Sequence, residues 1–370
     1  MRRLSSILLL TILSLSGCVE PLAYEEPKLY LRVVLPDDTV TKSESGDPLW
    51  SDESVLKNLH VWVFRHENGQ RIGYKKFTEQ ELKLIKSGMS DRWYLTLTKE
   101  IAQNPPQVDV FALANYNNNT ISLTSVGNGT TRAALQGATV KGFGTSASNA
   151  NLLSYGLPYS AVKVDIPITG NYPILELEPV VLQRAVSKIT FLSSQVCVNS
   201  NWGYRKVNDF SISNLTLDAN QIRSTEYLFN DSSDSYKVDG GFDQDASSKF
   251  VIDVPSENLA LNPSPETYTK QPGESVYDYG KRIQQAVQSG LLTRDVYYLR
   301  ESDQRLQGTF TYSIGGVSES KSFIMAEGEV FARNLDWIVY IYFLADEIHF
   351  SATWVDWLGT NTDITLTPDS

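Results

Sequence analysis

The chain has 370 residues, 41% hydrophobic and 11% aromatic, with a formal net charge of −11 at pH 7. That apolar content builds real cores and excludes global disorder, while the length exceeds one typical domain and points to two. An acidic chain without a basic stripe repels phosphate backbones, so no nucleic-acid partner is expected.

The chain opens with Arg2 and Arg3, the apolar run Ile7-Leu8-Leu9-Leu10-Thr11-Ile12-Leu13, and then small residues. This is the pattern of a secretory signal over residues 1–17. Leu15-Ser16-Gly17 leads straight into Cys18, which resembles the lipobox of bacterial lipoproteins. The resemblance implies a thioether from the Cys18 thiol to diacylglycerol, cleavage before Cys18 and acylation of the new amino group. The alternatives are an ordinary signal with an incidental cysteine, or a membrane anchor, for which the apolar run is short of the ~20 residues needed. Each buried methylene adds about 0.8 kcal/mol, so more than one acyl chain makes a durable tether. Cys197 would then have no intrachain partner, and the fold must stand without a disulfide. It reads as an inert strand cysteine.

Residues 18–28 form a lipidated linker. A first strand over 29–35 is rich in β-branched and aromatic types and ends at Pro36-Asp37-Asp38, followed by a polar loop over 39–50. Leu59-His60-Val61-Trp62-Val63-Phe64 is the next strand, with Asn68-Gly69 as its turn and 71–77 as its hairpin partner. Thr78 and Glu81 make a capping box around a short helix, with Leu82 and Ile85 facing inward and Gly88 as the stop. Strands follow over 93–97 and 108–114. Residues 115–150, dominated by Asn, Thr, Ser and Gly, read as loops or short edge strands. Residues 161–167 and 174–182 are strands again.

A second series begins at Gln183 with strands over 183–191, 209–217, 249–254, 296–299, 309–314, 321–326, 337–343 and 348–354. One helix interrupts it. Ser275 caps that helix, Val276, Tyr279, Ile283 and Val287 share a face, and Gly290 ends it. Strands at this spacing predict an all-β protein with one or two short helices, organised as two tandem β-sandwich domains over 29–182 and 183–370.

Catalytic signatures are missing from the sequence. Gly142-Phe143-Gly144 lacks the third glycine of a dinucleotide fingerprint, and neither a nucleophile elbow nor a phosphate-binding loop occurs. The expectation is a protein that is not an enzyme, without cofactor or metal. His60 and His349 alternate with apolar residues in strands and read as solvated strand faces; His66 stands apart. Asp231, Asp234, Asp239, Asp243 and Asp245 share a Gly- and Ser-rich loop that could hold calcium, but a solvated acidic loop is favoured. Trp337, Trp354 and Trp357 with Tyr340 and Tyr342 could form a carbohydrate-stacking platform. Apolar residues occupy both faces of 337–342, however, which favours a covered central strand.

Several segments in order resemble the fimbrillin family, the lipoprotein-derived subunits of type V pili, including Mfa-like subunits. They are Val40-Thr41-Lys42-Ser43, the stretch 53–64 with its Asn68-Gly69 turn, Val110-Phe111-Ala112-Leu113-Ala114-Asn115, and Gly156-Leu157-Pro158-Tyr159-Ser160. Leu182-Gln183-Arg184-Ala185-Val186-Ser187-Lys188-Ile189-Thr190-Phe191, Tyr297-Tyr298-Leu299-Arg300-Glu301 and Phe331-Ala332-Arg333-Asn334-Leu335-Asp336-Trp337 complete the set. The resemblance implies two transthyretin-like sandwiches and a location at the cell surface, as an outer membrane lipoprotein or within the fimbrium. It implies partners too: other pilus subunits joined by β-strand complementation, the outer membrane through the lipid, and host or bacterial surface ligands. Polymerising members are cut after an arginine just past the first strand. This chain offers Lys42 there, with Arg32 inside the strand, so an arginine-specific protease would leave an uncut anchor or accessory subunit, and a lysine-tolerant one a shaft subunit. The polar tail over 359–370 holds one alternating piece, Ile364 and Leu366, which reads as a loose terminus. The rival reading is a surface glycan-binding lipoprotein of a carbohydrate-uptake system.

Overall fold

Alternation of apolar and polar residues dominates the sequence, and the chain answers with strands. The computed structural model describes residues 26–31, 33–34, 55–86, 93–141, 152–194, 211–217, 226–229, 249–252, 268–301, 307–314, 317–324, 332–344, 347–356 and 361–363. In the earlier half these are β1 (Lys28–Leu31), β2 (Val33–Val34), β3 (Asn58–Arg65), β4 (Arg71–Thr78), β5 (Trp93–Thr96), β6 (Val108–Ala114), β7 (Ile121–Ser122), β8 (Thr139–Val140), β9 (Tyr159–Ile166), β10 (Thr169–Asn171), β11 (Ile174–Glu176), β12 (Val180–Val181) and β13 (Gln183–Arg184). The later half holds β14 (Ser187–Ser193), β15 (Ser211–Leu217), β16 (Glu226–Tyr227), β17 (Lys249–Ile252), β18 (Thr293–Leu299), β19 (Gln307–Ile314), β20 (Val317–Ile324), β21 (Leu335–Leu344), β22 (Glu347–Asp356) and β23 (Asn361–Asp363). The fold is all-β with short helices.

In the earlier half, a sheet ordered β10-β11-β1-β5 and one ordered β13-β9-β6-β3-β4 contribute to one hydrophobic cluster. Every residue of β6 is buried, as are Leu29, Leu31, Leu95 and Leu175 from the other sheet. In the later half the sheets are β18-β14-β21-β22-β23 and β17-β15-β19-β20. Phe191 of β14 meets Phe310 of β19 edge to face at 6.3 Å. On the opposite face of β14 and β21, Tyr279, Ile283 and Ala286 of the Val276–Gln288 helix pack on Leu192, Ile338 and Tyr340.

Local signals explain the punctuation. At the β3–β4 turn Gly69 has φ +68, a conformation that side chains with a Cβ rarely adopt. The Thr78 N–H donates to Glu81 Oε2 (2.8 Å) and the Glu81 N–H to Thr78 Oγ1 (3.4 Å), a reciprocal cap on the Glu79–Lys86 helix. Ser275 caps the Val276–Gln288 helix through the Asp278 N–H at 3.0 Å, and Gly290 follows with φ +72. Helices at Lys99–Gln103 and Arg132–Gln136, each capped by a threonine, exceed the one or two expected. At five residues apiece they are too short to show an apolar face in sequence.

The fimbrillin-like motifs sit at hubs of this packing. Asn115 ends β6 with φ +56; its Nδ2 donates to Val55 O and Leu157 O, and its Oδ1 accepts from the Lys57 N–H, all at 2.8 Å. Gly156 lies so close that a Cβ there would stand 2.6 Å from Asn115 Nδ2. Lys188 of β14 and Asp336 of β21 are register partners, fully buried, with Nζ to Oδ2 at 3.1 Å and the Thr190 hydroxyl donating to Asp336 Oδ1 at 2.9 Å.

Candidate functional site

The candidate site is the seat of the first strand. β1 lies inside its sheet, antiparallel to β5 and parallel to β11, with Leu29 opposite both Leu95 and Leu175. Bonds at its margins extend the seat: Lys28 N–H to Pro173 O (2.9 Å), Leu97 N–H to Pro27 O (2.9 Å) and Leu177 N–H to Tyr30 O (3.0 Å). β2 continues the path, parallel to β12. Alternation turns Leu29, Leu31 and Val33 inward, 0%, 3% and 9% exposed, while Tyr30 faces out beside Tyr94 with ring centroids 5.8 Å apart. Lys28 Nζ stands 5.0 Å over the Tyr94 ring.

Each buried aliphatic side chain of this kind stabilises the seat by about 1.5–3 kcal/mol. Without β1, the facing edges of β5 and β11 would carry unpaired N–H and C=O groups above an apolar floor that includes Leu95 and Leu175. An open slot of this kind has the geometry in which an added strand pairs through its backbone and seats alternate apolar side chains.

Other predicted positions fall elsewhere. Cys18, Arg32, Lys42 and Cys197, the aspartates of 231–245, Trp357, Ile364 and Leu366 lie outside the described residues. Trp337 and Tyr340 are each 1% exposed, inside a strand covered on both faces, as favoured from sequence. His60 corrects the expectation of a solvated strand face: it is buried, stacks on Trp62 at 5.6 Å and shares a 3.0 Å hydrogen bond between Nδ1 and the Tyr74 hydroxyl. Burial, aided by the charge of Lys76, pushes its pKa down to about 4. Alternation along β3 implied an open face, but β3 lies between β4 and β6 and both of its faces are covered.

A polar cluster at the far end of β3 escaped the sequence reading. The buried Asp109 carboxylate accepts from His66 Nδ1 (2.7 Å), Arg132 Nη1 (2.6 Å) and the Asp165 N–H (3.0 Å). Burial alone would raise the Asp109 pKa, but these donors outweigh it and the pKa lies below the ordinary range. The hydrogen bond to Asp109 raises the pKa of His66. The available signal was an acid in the midst of the apolar strand Val108-Asp109-Val110.

Its neighbours in structure include Mfa-like fimbrial proteins. A candidate cell-adhesion protein of Bacteroides eggerthii is 11% identical, with 90% of this chain and 96% of that chain covered at a TM-score of 0.49. A fimbrial assembly protein of Parabacteroides distasonis is 15% identical, covering 93% and 99% at 0.46. The tip fimbrial protein Mfa3 of Porphyromonas gingivalis, with a C-terminal truncation, is 14% identical, covering 90% and 100% at 0.42. No family model matches the sequence, and no curated protein matches it.

Proposed function

We propose that this protein is a non-catalytic structural subunit (anchor, accessory or shaft) of a cell-surface type V pilus, assembled by donor-strand exchange and supporting adhesion. The observation that carries the proposal is the seat of β1, held on both sides by backbone hydrogen bonds and by the inward Leu29 and Leu31, with Val33 of β2 continuing the same buried path. An incoming strand with apolar residues at the positions of Leu29, Leu31 and Val33 would restore every one of those interactions, so exchange leaves no edge open. The ordered motifs that resemble fimbrillins support the same reading.

In this account Cys18 carries the lipid and holds the subunit to the outer membrane. A cut at Lys42 or Arg32 would free the first strand and sever the tether together. Left uncut, the subunit stays anchored and joins neighbours at one end alone. Two transthyretin-like sandwiches, divided near residue 182, would form the body, with β13 paired back onto β9 of the earlier sheet. The glycan-binding alternative loses part of its platform, because Trp337 and Tyr340 are buried.

The test is to cleave the purified mature protein with a lysine-specific protease, wash out the released strand under mild denaturant, and add a labelled peptide spanning residues 27–35. Uptake of the peptide, with ladders of oligomers when it is withheld, is the expected result. An emptied protein that neither takes the peptide nor oligomerises would remove the proposal. N-terminal sequencing of protein from cells separates chains starting at Cys18, Val33 and Ser43.

A further inference from the structure

The later half of the chain completes the core of the earlier half. β16 pairs antiparallel with β8, matching Glu226 to Val140 and Tyr227 to Thr139, and so joins a three-stranded sheet β16-β8-β7 whose other members come from the earlier half. The Leu228 N–H donates to Ala138 O at 2.8 Å, and the Ser160 hydroxyl of β9 donates to Leu228 O. Leu228 is 0% exposed within the cluster that also receives Leu29 and Leu31. The Phe229 ring meets Phe111 of β6 edge to face at 5.1 Å.

One arginine closes this contact from the other side. Arg333 Nη1 donates to Leu228 O (2.9 Å), and Nη2 to Tyr227 O (2.6 Å) and Glu301 Oε1 (2.6 Å). Arg333 Nε reaches the same carboxylate at 3.1 Å, and its backbone N–H reaches Oε2 at 3.3 Å. The two side chains are 10% and 3% exposed. The planar guanidinium therefore binds carbonyls of the crossing strand and a carboxylate just past β18 at once, a geometry a lysine cannot reproduce. Next to it, the Asn334 N–H donates to Val186 O, and the Ser187 hydroxyl donates to Ala332 O.

Interfaces between separable units of one chain are usually polar and yield to relative motion. Here a shared strand and two core side chains cross the seam, and a shielded ion pair fixes the crossing strand to its own half. We infer that residues 226–229, held by Arg333 and Glu301, form a lock that makes the two halves open as one cooperative unit. Strain entering the earlier half, or loss of a strand from it, is then resisted by the whole chain. The lock acts whether or not the first strand is exchanged.

The test is calorimetry of the full mature chain, with hydrogen exchange read at Val108–Ala114 and at Leu335–Leu344. The native protein should melt in one transition, with amides of both strands exchanging through a common opening. Arg333→Met should split the transition in two. Phe229→Ala disturbs no charge; it should also split it, lowering the earlier-half step by about 6–20 °C and leaving the later-half step in place. Should Arg333→Met fail to fold, Phe229→Ala decides. Two transitions in the native protein, or a single lowered transition in Phe229→Ala, would overturn the inference.

Discussion

β1 and β21 share a pairing pattern and differ in everything that fixes a strand in place. Each lies between one parallel and one antiparallel neighbour, β11 and β5 for the first, β14 and β22 for the second. β21 runs 10 residues, with Trp337, Ile338, Val339, Tyr340 and Ile341 buried on both faces and Asp336 paired to Lys188. β1 runs four residues, lies near the chain's start and buries one face alone. The same parallel–antiparallel placement therefore comes with very different burial: β21 is packed on both faces over ten residues, β1 on one face over four.

The largest effect that would break this comparison is expected at the ion pair. Asp336→Ala leaves the Lys188 ammonium buried without its carboxylate and should destabilise the protein by about 3–5 kcal/mol, read from the urea midpoint. A loss under 1 kcal/mol would show that β21 is not pinned as described. Leu29→Asp places a charge on the inward face of β1, against Leu95 and Leu175, and should release β1 while the rest stays folded. Limited proteolysis should then remove the N-terminal segment at least about tenfold faster, with circular dichroism otherwise unchanged. Collapse of the whole fold would mean that β1 is as integral as β21.

Two histidines give smaller, opposite pH effects. With a folded pKa near 4 against about 6.5 unfolded, His60 stays neutral where the unfolded chain binds a proton. Its share of stability is full above about pH 6.5 and falls as pH drops toward 4. His60→Phe should flatten that slope in urea melts taken across the window. The raised pKa of His66 works the other way: its stabilising contribution is complete below about pH 6.5 and disappears as pH climbs through the folded value. NMR titration should place the His66 ring above the ordinary histidine value, and Asp109→Asn should bring it back down.

Much of the fold was legible. The hairpin at Asn68-Gly69, the paired cap of Thr78 with Glu81 and the helix opened by Ser275 follow from neighbours within a few residues, and all three stand as read. Burial of Trp337 and Tyr340 was visible because both parities of that strand are apolar. His60 misled because alternation reports a difference between faces, and β3 has none: its second face is covered by aromatic rings such as Tyr74 and Tyr116. The candidate site was half legible. The apolar alternation of 29–35 marked a strand, but nothing in it named β5 and β11 as the walls.

Sequence alone determined the elements that close on themselves: an all-β chain, its turns and caps, and which side chains of a strand share a face. These depend on period and on contacts a few residues apart. Tertiary structure alone decided neighbours. It placed β1 between strands more than sixty and more than a hundred residues away, set Lys188 against Asp336, and carried Leu228 and Phe229 back into the earlier core. A two-residue repeat tells a strand which face to bury and is silent about its partner, which is chosen when distant apolar surfaces compete for the same space.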